Sequence, residues 1–242
     1  MLGVAAMPTA ILSEREPIGG GLDRVRLQVD ETVAATHTRH GQYVEVRHQG
    51  IAGDADLTIP AAIRGYFAIA SAPGELSWDL LVRDGGSMGE RLRSLPLGTV
   101  VSISEASGKG FPVESAHERP LVLAVTGSGI AAVLSTIGAR IEDGDAQHTY
   151  LLYGVRERNE IALSAELEAM RMAGIDIAIC LSREHIDEPG FYRGYVQDVA
   201  SARHWSVAGG LVFAAGNTAM VEGMRNATTA LGLRPEDVRL NH

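Results

Sequence analysis

The residues with the clearest chemical use are Thr126-Gly127-Ser128-Gly129, which follow the apolar run Leu121–Val125 and precede an apolar helical pattern. Strand, glycine turn and helix in that order aim backbone N–H groups at a phosphate. Three later loops hold the same place after an apolar run: Gly154-Val155-Arg156, Ser182-Arg183-Glu184 and Gly216-Asn217. Small, hydroxyl-bearing or cationic residues occupy all four, which suits the rim of a nucleotide site. Singly, each has a plainer reading, because glycines end strands routinely and lone arginines are commonly solvated. Agreement among the four carries the nucleotide reading.

Other titratable groups offer little chemistry. No Ser/His/Asp set is present, so no catalytic side chain is assigned. His37 and His40 lie close together but lack a carboxylate or cysteine at ligand spacing, so no metal site is expected. Asp54 and Asp56 read as turn formers in a glycine-rich stretch. Glu157 and Glu160 are expected on an exposed helix start, where the dipole favours carboxylates.

Two rhythms position these loops. Residues 1–116 carry short apolar or alternating runs at Leu22–Val29, Gln42–His48, Tyr66–Ala70, Leu76–Arg83 and Thr99–Glu105. Glycine and proline separate them, a pattern of antiparallel strands in a barrel or sandwich, with one helix at Met88–Leu95. Residues 117–242 alternate strands with helices: strands at Leu121–Val125, Thr149–Tyr153, Ile175–Leu181 and Leu211–Ala215. One helix places Ile130, Val133 and Ile137 on one face; a second runs from Asn159 as N-cap to Gly174, and a third from near Thr218 to Gly232. This is the signature of a parallel α/β sheet.

Bulk properties bound the function. The 242 residues suffice for one large domain or two modest ones. The single cysteine, Cys180, excludes an intrachain disulfide and a cysteine-ligated iron–sulfur cluster within this chain, and fits a reducing cytoplasm. A net charge of −9 argues against a general nucleic-acid binder and is compatible with a basic protein partner. No run of 18 apolar residues occurs, so no membrane span is expected. The N-terminal MLGVAAMPTAILSERE lacks a basic n-region, so no signal peptide is expected.

Several motifs, in order, resemble the ferredoxin–NADP(+) reductase-like family over nearly the whole chain. They are HGQYVEV, YFAIASAP, GGSMGERLRSLPLGTVVSISEASGKGF, TGSGIAAVLS, YGVRERNEI, LSRE, GYVQ and AAGNTAMVEGM. The resemblance implies a two-domain α+β fold: an N-terminal antiparallel Greek-key β-barrel that binds FAD, then an α/β parallel-sheet domain that binds NADP(H) or NAD(H). It places Phe67, Ala68, Ile69, Ala70 and Ser71 against the flavin. Gly86, Ser87, Met88 and Gly89 would face the pyrophosphate at a helix N-terminus, a position where an anion is favoured; alternatively, Ser87 merely caps that helix. Thr126, Gly127, Ser128, Gly129 and Ile130 would face the nicotinamide half, together with Gly216, Asn217 and Met220. Ser182, Arg183 and Tyr195 would hold the adenosine end, with Arg156 on the same rim.

Hydride transfer between nicotinamide and flavin needs alignment more than acid–base help, which agrees with the missing triad. The family's flavin strand carries arginine, tyrosine and serine where this chain has Gly65, Phe67 and Ala68, with Arg64 one residue earlier. Its late cysteine is Ala215 here, and the last residues, Leu240-Asn241-His242, include no aromatic. Ser182-Arg183 suits the 2′-phosphate of NADP, although NAD-using relatives can carry a similar pair. The expected activity is electron transfer between NAD(P)H and a separate acceptor such as a ferredoxin, flavodoxin or other small carrier. The changed flavin strand keeps a second reading open, a catalytically weak nucleotide-binding or regulatory subunit. A third is an α/β protein whose glycine loop binds another anion.

Overall fold

The computed structural model describes residues 7–48, 63–203 and 205–242, so Asp54 and Asp56 lie outside the described residues. The N-terminal part contains β1 (Thr9–Pro17), β2 (Leu22–Gln28), α1 (Glu31–Ala34), β3 (Tyr43–His48), β4 (Ile63–Ala68), β5 (Ser77–Arg83), α2 (Ser87–Ser94) and β6 (Val100–Ile103). Its strands form one antiparallel sheet in the order β4-β3-β6-β1-β2-β5. A bridge between Ile69 and Leu80 joins the two outer strands and closes the sheet into a barrel. Side-chain alternation fills the closed sheet: Leu12, Val25, Leu27, Val44, Val46 and Trp78 all turn inward, while Ile11 and Val100 pair on the outer face. Met88, Leu92 and Leu95 bring α2 across this core.

The C-terminal part contains β7 (Leu121–Thr126), α3 (Ala131–Glu142), β8 (Thr149–Val155), α4 (Ser164–Met172), β9 (Asp176–Leu181), β10 (Phe191–Arg193), α5 (Val196–Ala202), β11 (Leu211–Ala215), α6 (Thr218–Ala227) and β12 (Val238–Leu240). All pairings are parallel, in the order β10-β9-β8-β7-β11-β12. Helices α3 and α4 cover one face and α5 and α6 the other. Burial on both faces explains why β7 and β11 read as unbroken apolar runs rather than alternating ones.

The two sheets share a core. Leu22, Ala70, Leu81 and Phe111 pack with the α3 side of the parallel sheet, and Phe111 stacks on Phe213 at 4.8 Å. The fully buried Arg140 donates to Asp145 (2.7 Å), to the Ala116 carbonyl (2.6 Å) and to the Arg119 carbonyl (2.8 Å), tying the connecting segment to α3. Among the described residues, no helix is long and apolar enough to cross a membrane.

Some local expectations are corrected. Strand β1 is unassigned in the sequence reading because Glu14, Arg15, Glu16 and Pro17 mask the alternation of Ala10 and Leu12 into the core. The three-residue β10 and β12 and the short α1 and α5 are also new. Asn159 caps no α-helix: it lies in a 3-10 turn over Arg158–Glu160, and α4 starts only at Ser164, after Leu163 adopts a left-handed φ of 61°. Glu157 stands at the N-cap of that 3-10 turn and Glu160 is its last residue, so neither opens an α-helix. Ser87 is the first residue of α2 and not its cap; Gly86 holds that place without a side-chain hydrogen bond.

Candidate functional site

A cavity of about 580 Å³ opens at the carboxyl ends of β7, β8, β9 and β11. Three glycines make it possible by letting the loops converge. A Cβ on Gly129 would lie 2.6 Å from the Ala215 carbonyl oxygen, one on Gly154 2.6 Å from Val196 Cγ2, and one on Gly216 2.6 Å from Thr126 Oγ1. Each distance is below any normal contact; Gly129 faces fixed backbone and admits only hydrogen, whereas a larger residue at Gly154 or Gly216 would have to displace the side chain of Val196, Met220 or Thr126. Gly127 adds the left-handed φ of +51° that turns the chain after β7.

Of the sequence-predicted residues, Thr126, Gly127, Ser128, Arg156, Ser182, Arg183, Tyr195, Asn217 and Met220 line this cavity. Gly129, Ile130 and Gly216 do not: Gly129 and Gly216 are consumed in loop packing, and Ile130 is fully buried in the core. The glycine loop runs through a 3-10 turn over Gly127–Ile130 before α3 begins. Asn217 Oδ1 accepts the Met220 N–H at 2.9 Å, so its oxygen caps α6 and directs that helix start at the cavity.

A second cavity, about 420 Å³, lies between β4, the end of β5 and the start of α2. Phe67, Ala68, Gly86, Ser87, Met88 and Gly89 line it, as do Arg64, Gly65 and Tyr66. Ile69, Ala70 and Ser71 do not. Alternation turns Ile69 into the barrel core, Ala70 enters the shared core, and the Ser71 hydroxyl accepts the Asp79 N–H at 3.2 Å. A Cβ on Gly65 would meet Met88 Cβ and the Phe67 ring at 2.9 Å, so this register has no room for an arginine. The local cation is Arg64, largely exposed and 3.8 Å from Glu45.

The cavities share two residues, Arg83 and Ser128. Sequence reasoning missed Arg83. It ends β5, and its guanidinium lies 3.4 Å from where a Gly127 Cβ would stand. With Arg156, Glu160 and Arg183 it also lines a third cavity, about 460 Å³, beside the first. Neither Arg83 nor Arg183 forms a salt bridge among the described residues, and Arg156 has only Glu160, at 3.8 Å. Three weakly compensated guanidinium groups around one opening attract polyanions. The signal was available in LLVRDGGS: a cation at a strand end before a glycine turn, the same logic that selects Arg156 and Arg183.

Cys180 and Glu160 complete the lining of the first cavity. Burial pushes the Cys180 thiol up to about 12, so it is no nucleophile at neutral pH. Glu160 Oε2 accepts the Arg156 N–H at 3.0 Å and braces that loop. His37 packs edge-on against Trp78 at 5.9 Å with both ring nitrogens unpartnered, and burial lowers it to about 4. Among the described residues, no cluster of histidine, cysteine or carboxylate side chains could hold a metal.

Comparisons with known proteins bear on the fold. Residues 123–226 match the oxidoreductase NAD-binding domain model. The chain is 30% identical to a fruit protein of Actinidia deliciosa over 82% of this chain and 64% of that one. It is 32% identical to ferredoxin–NADP reductase B of Sorangium cellulosum over 58% of this chain and 59% of that one. The chain thus spans less than two thirds of the length of these curated relatives. A ferredoxin NADP+ reductase from Neisseria gonorrhoeae, solved with bound FAD and NADP, superposes with a TM-score of 0.75 at 16% identity, covering 98% of both chains. With its closed antiparallel barrel, its parallel sheet and the glycine-built cleft at their junction, the chain has the two-domain fold of the ferredoxin NADP+ reductase and is similar in sequence to reductases of that kind.

Proposed function

We propose that this chain is an NAD(P)H-dependent flavoprotein reductase that holds FAD in the barrel-side cavity and the pyridine nucleotide in the sheet-edge cavity. The observation that carries the reading is the junction of the two cavities at Arg83 and Ser128. Two cofactors that exchange a hydride must meet, and here the same two residues line both clefts. The residues fit both groups. Uncapped N–H groups at the start of α2 suit a pyrophosphate. Phe67 and Ala68 offer an apolar wall for a ring system. Arg156 and Arg183 suit nucleotide phosphates, and the exposed Tyr195 offers a ring face at the far end.

The bound cofactors supply the redox chemistry, a hydride passing from the nicotinamide to the flavin. The protein's part is orientation. Arg83 reaches both clefts and sets charge where they join, and Met220 and Val155 shield the sheet edge. Ser182 and Arg183 favour NADPH over NADH through a 2′-phosphate. Electrons leave to a separate carrier, a ferredoxin as in the name of the Sorangium cellulosum reductase. The reading includes a cytoplasmic setting, for which the single, buried cysteine is the support.

Purified protein mixed with FAD turns yellow and retains the colour through desalting; NADPH then bleaches it without oxygen. Protein that takes up neither FAD nor NADPH contradicts the proposal. Flavin uptake without bleaching favours the catalytically weak subunit, for which Ala68 and Ala215 are the specific motive. Arg183→Ala lowers kcat/KM for NADPH about tenfold or more and leaves NADH nearly unaffected, as loss of one charged hydrogen bond requires. An unchanged NADPH-to-NADH ratio removes Arg183 from the 2′-phosphate.

A further inference from the structure

The turn between β1 and β2, far from either cofactor wall in sequence, is joined to the loop that carries Arg156. The Leu163 N–H donates to the Ile18 carbonyl at 2.7 Å, and Gly19 pairs with Ala162 in an antiparallel bridge. Gly20 is so close that a methyl group on it would overlap the Glu160 carbonyl oxygen and stand 2.8 Å from the Ala162 nitrogen. Arg24 closes the outer edge with a 2.7 Å salt bridge to Glu166. On the loop side, Leu163 holds a left-handed backbone at φ 61°, a conformation that a branched apolar residue adopts only when its surroundings impose it.

Both ends of this junction lead to the nucleotide opening. Leu22, directly after the turn, is the register partner of Arg83 across β2 and β5. Glu160, on the loop, holds the Arg156 N–H with its carboxylate while its own carbonyl abuts Gly20. One glycine turn therefore fixes two guanidinium groups from different sheets at one opening.

We propose that Gly19-Gly20-Gly21 is an interdomain latch whose backbone contact with Glu160–Leu163 positions Arg83 and Arg156 for the nucleotide phosphates. The inference rests on the nucleotide reading above. Gly20 and Leu163 act here as positioning residues, with no contact to the nucleotide required. The third cavity sits beside the latch, with Gly20, Arg83 and Arg156 all in its lining.

Two neighbouring glycines separate the latch from simple backbone strain. Gly20 and Gly21 both have left-handed φ, +60° and +68°, but a Cβ on Gly21 has no atom within 4 Å. Alanine at either costs a similar left-handed penalty, and only Gly20→Ala drives the turn off the loop. The readouts are NADPH dissociation constants of the FAD-saturated protein and hydrogen exchange at the Leu163 amide. Gly20→Ala raises the NADPH constant about tenfold or more and speeds Leu163 exchange, as displaced positioning groups should. Gly21→Ala keeps Leu163 protected and shifts the constant much less. Glu166→Gln, which leaves both backbones in place, raises the constant about threefold by removing one partly exposed ion pair; this variant decides the matter if Gly20→Ala does not fold. Equal constants in the two alanine variants, or fast Leu163 exchange with a wild-type constant, overturn the latch. Wild-type protein that binds neither NADPH nor NADH contradicts the nucleotide reading itself, a distinct result.

Discussion

The sheet-edge cleft and the barrel-side cleft meet at Arg83, yet they are built differently. The first is shaped by crowded loops: a Cβ on Gly129 would strike the Ala215 carbonyl, and one on Gly154 or Gly216 would strike the side chains of Val196, Met220 and Thr126. The second is made of side chains on one strand, β4, set against the start of α2. A cleft shaped by crowded loops tolerates little added volume at its glycines, least at Gly129 against the Ala215 carbonyl, but tolerates change at its rim. A cleft made of strand side chains depends on register, because a slip of one residue exchanges the inner and outer faces.

The largest effect should come from Gly129→Val. Its branched side chain has no space against the Ala215 carbonyl, so stability falls by about 3 kcal/mol and nucleotide binding is lost. Gly86→Ala, with open space around its Cβ, costs only about 0.5 kcal/mol. Urea midpoints of the two variants measure the contrast, and equal losses would break it.

Arg83 belongs to both constructions, so Arg83→Ala should weaken FAD and NADPH together, each by about tenfold to a hundredfold. Fluorescence titrations of each cofactor test this; loss of one alone would assign Arg83 to a single cleft. Arg64→Ala should weaken only FAD, and only about threefold, because its guanidinium is mostly in water.

The two halves should also differ in acid. His37 in the barrel is buried and neutral, its folded value lowered to about 4 from an ordinary 6.5. Between those values the unfolded chain binds the extra proton, so barrel stability falls as pH drops from 6.5 to 4, by up to about 3 kcal/mol. The α/β half carries the opposite kind of group. Burial would raise Asp145, but the Glu118 N–H and Arg140 outweigh it and hold its carboxyl low. That contribution is present above the ordinary carboxylate value and lost only as pH falls through the lowered one. Amide exchange at pH 7 and pH 4.5 should show the barrel opening first, and His37→Leu should narrow the difference, the remainder belonging to His40 and His48, which burial also lowers. Simultaneous opening in both proteins would contradict it.

The same contrast explains what the sequence made legible. Glycine spacing after apolar runs is written directly in the chain, so the loops of the sheet-edge cleft and the fold of both halves could be read from it. On the barrel side the expected residues divide: Phe67 and Ala68 line the cleft, while Ile69, Ala70 and Ser71 lie past the wall, where the Ile69–Leu80 bridge closes the barrel. Arg83 escaped notice since its value comes from three-dimensional convergence of β5 with the Gly127 turn. The latch was invisible for a similar reason: PIGGG reads as a turn, and nothing local reveals its contact with Glu160 and Leu163.

The central claim is that the two clefts form one continuous site. Anaerobic rapid mixing of FAD-loaded protein with NADPH tests it most directly. The account predicts flavin bleaching at a rate that saturates with NADPH and collapses in Arg83→Ala. Protein that binds both FAD and NADPH yet keeps an oxidised flavin spectrum indefinitely would contradict it.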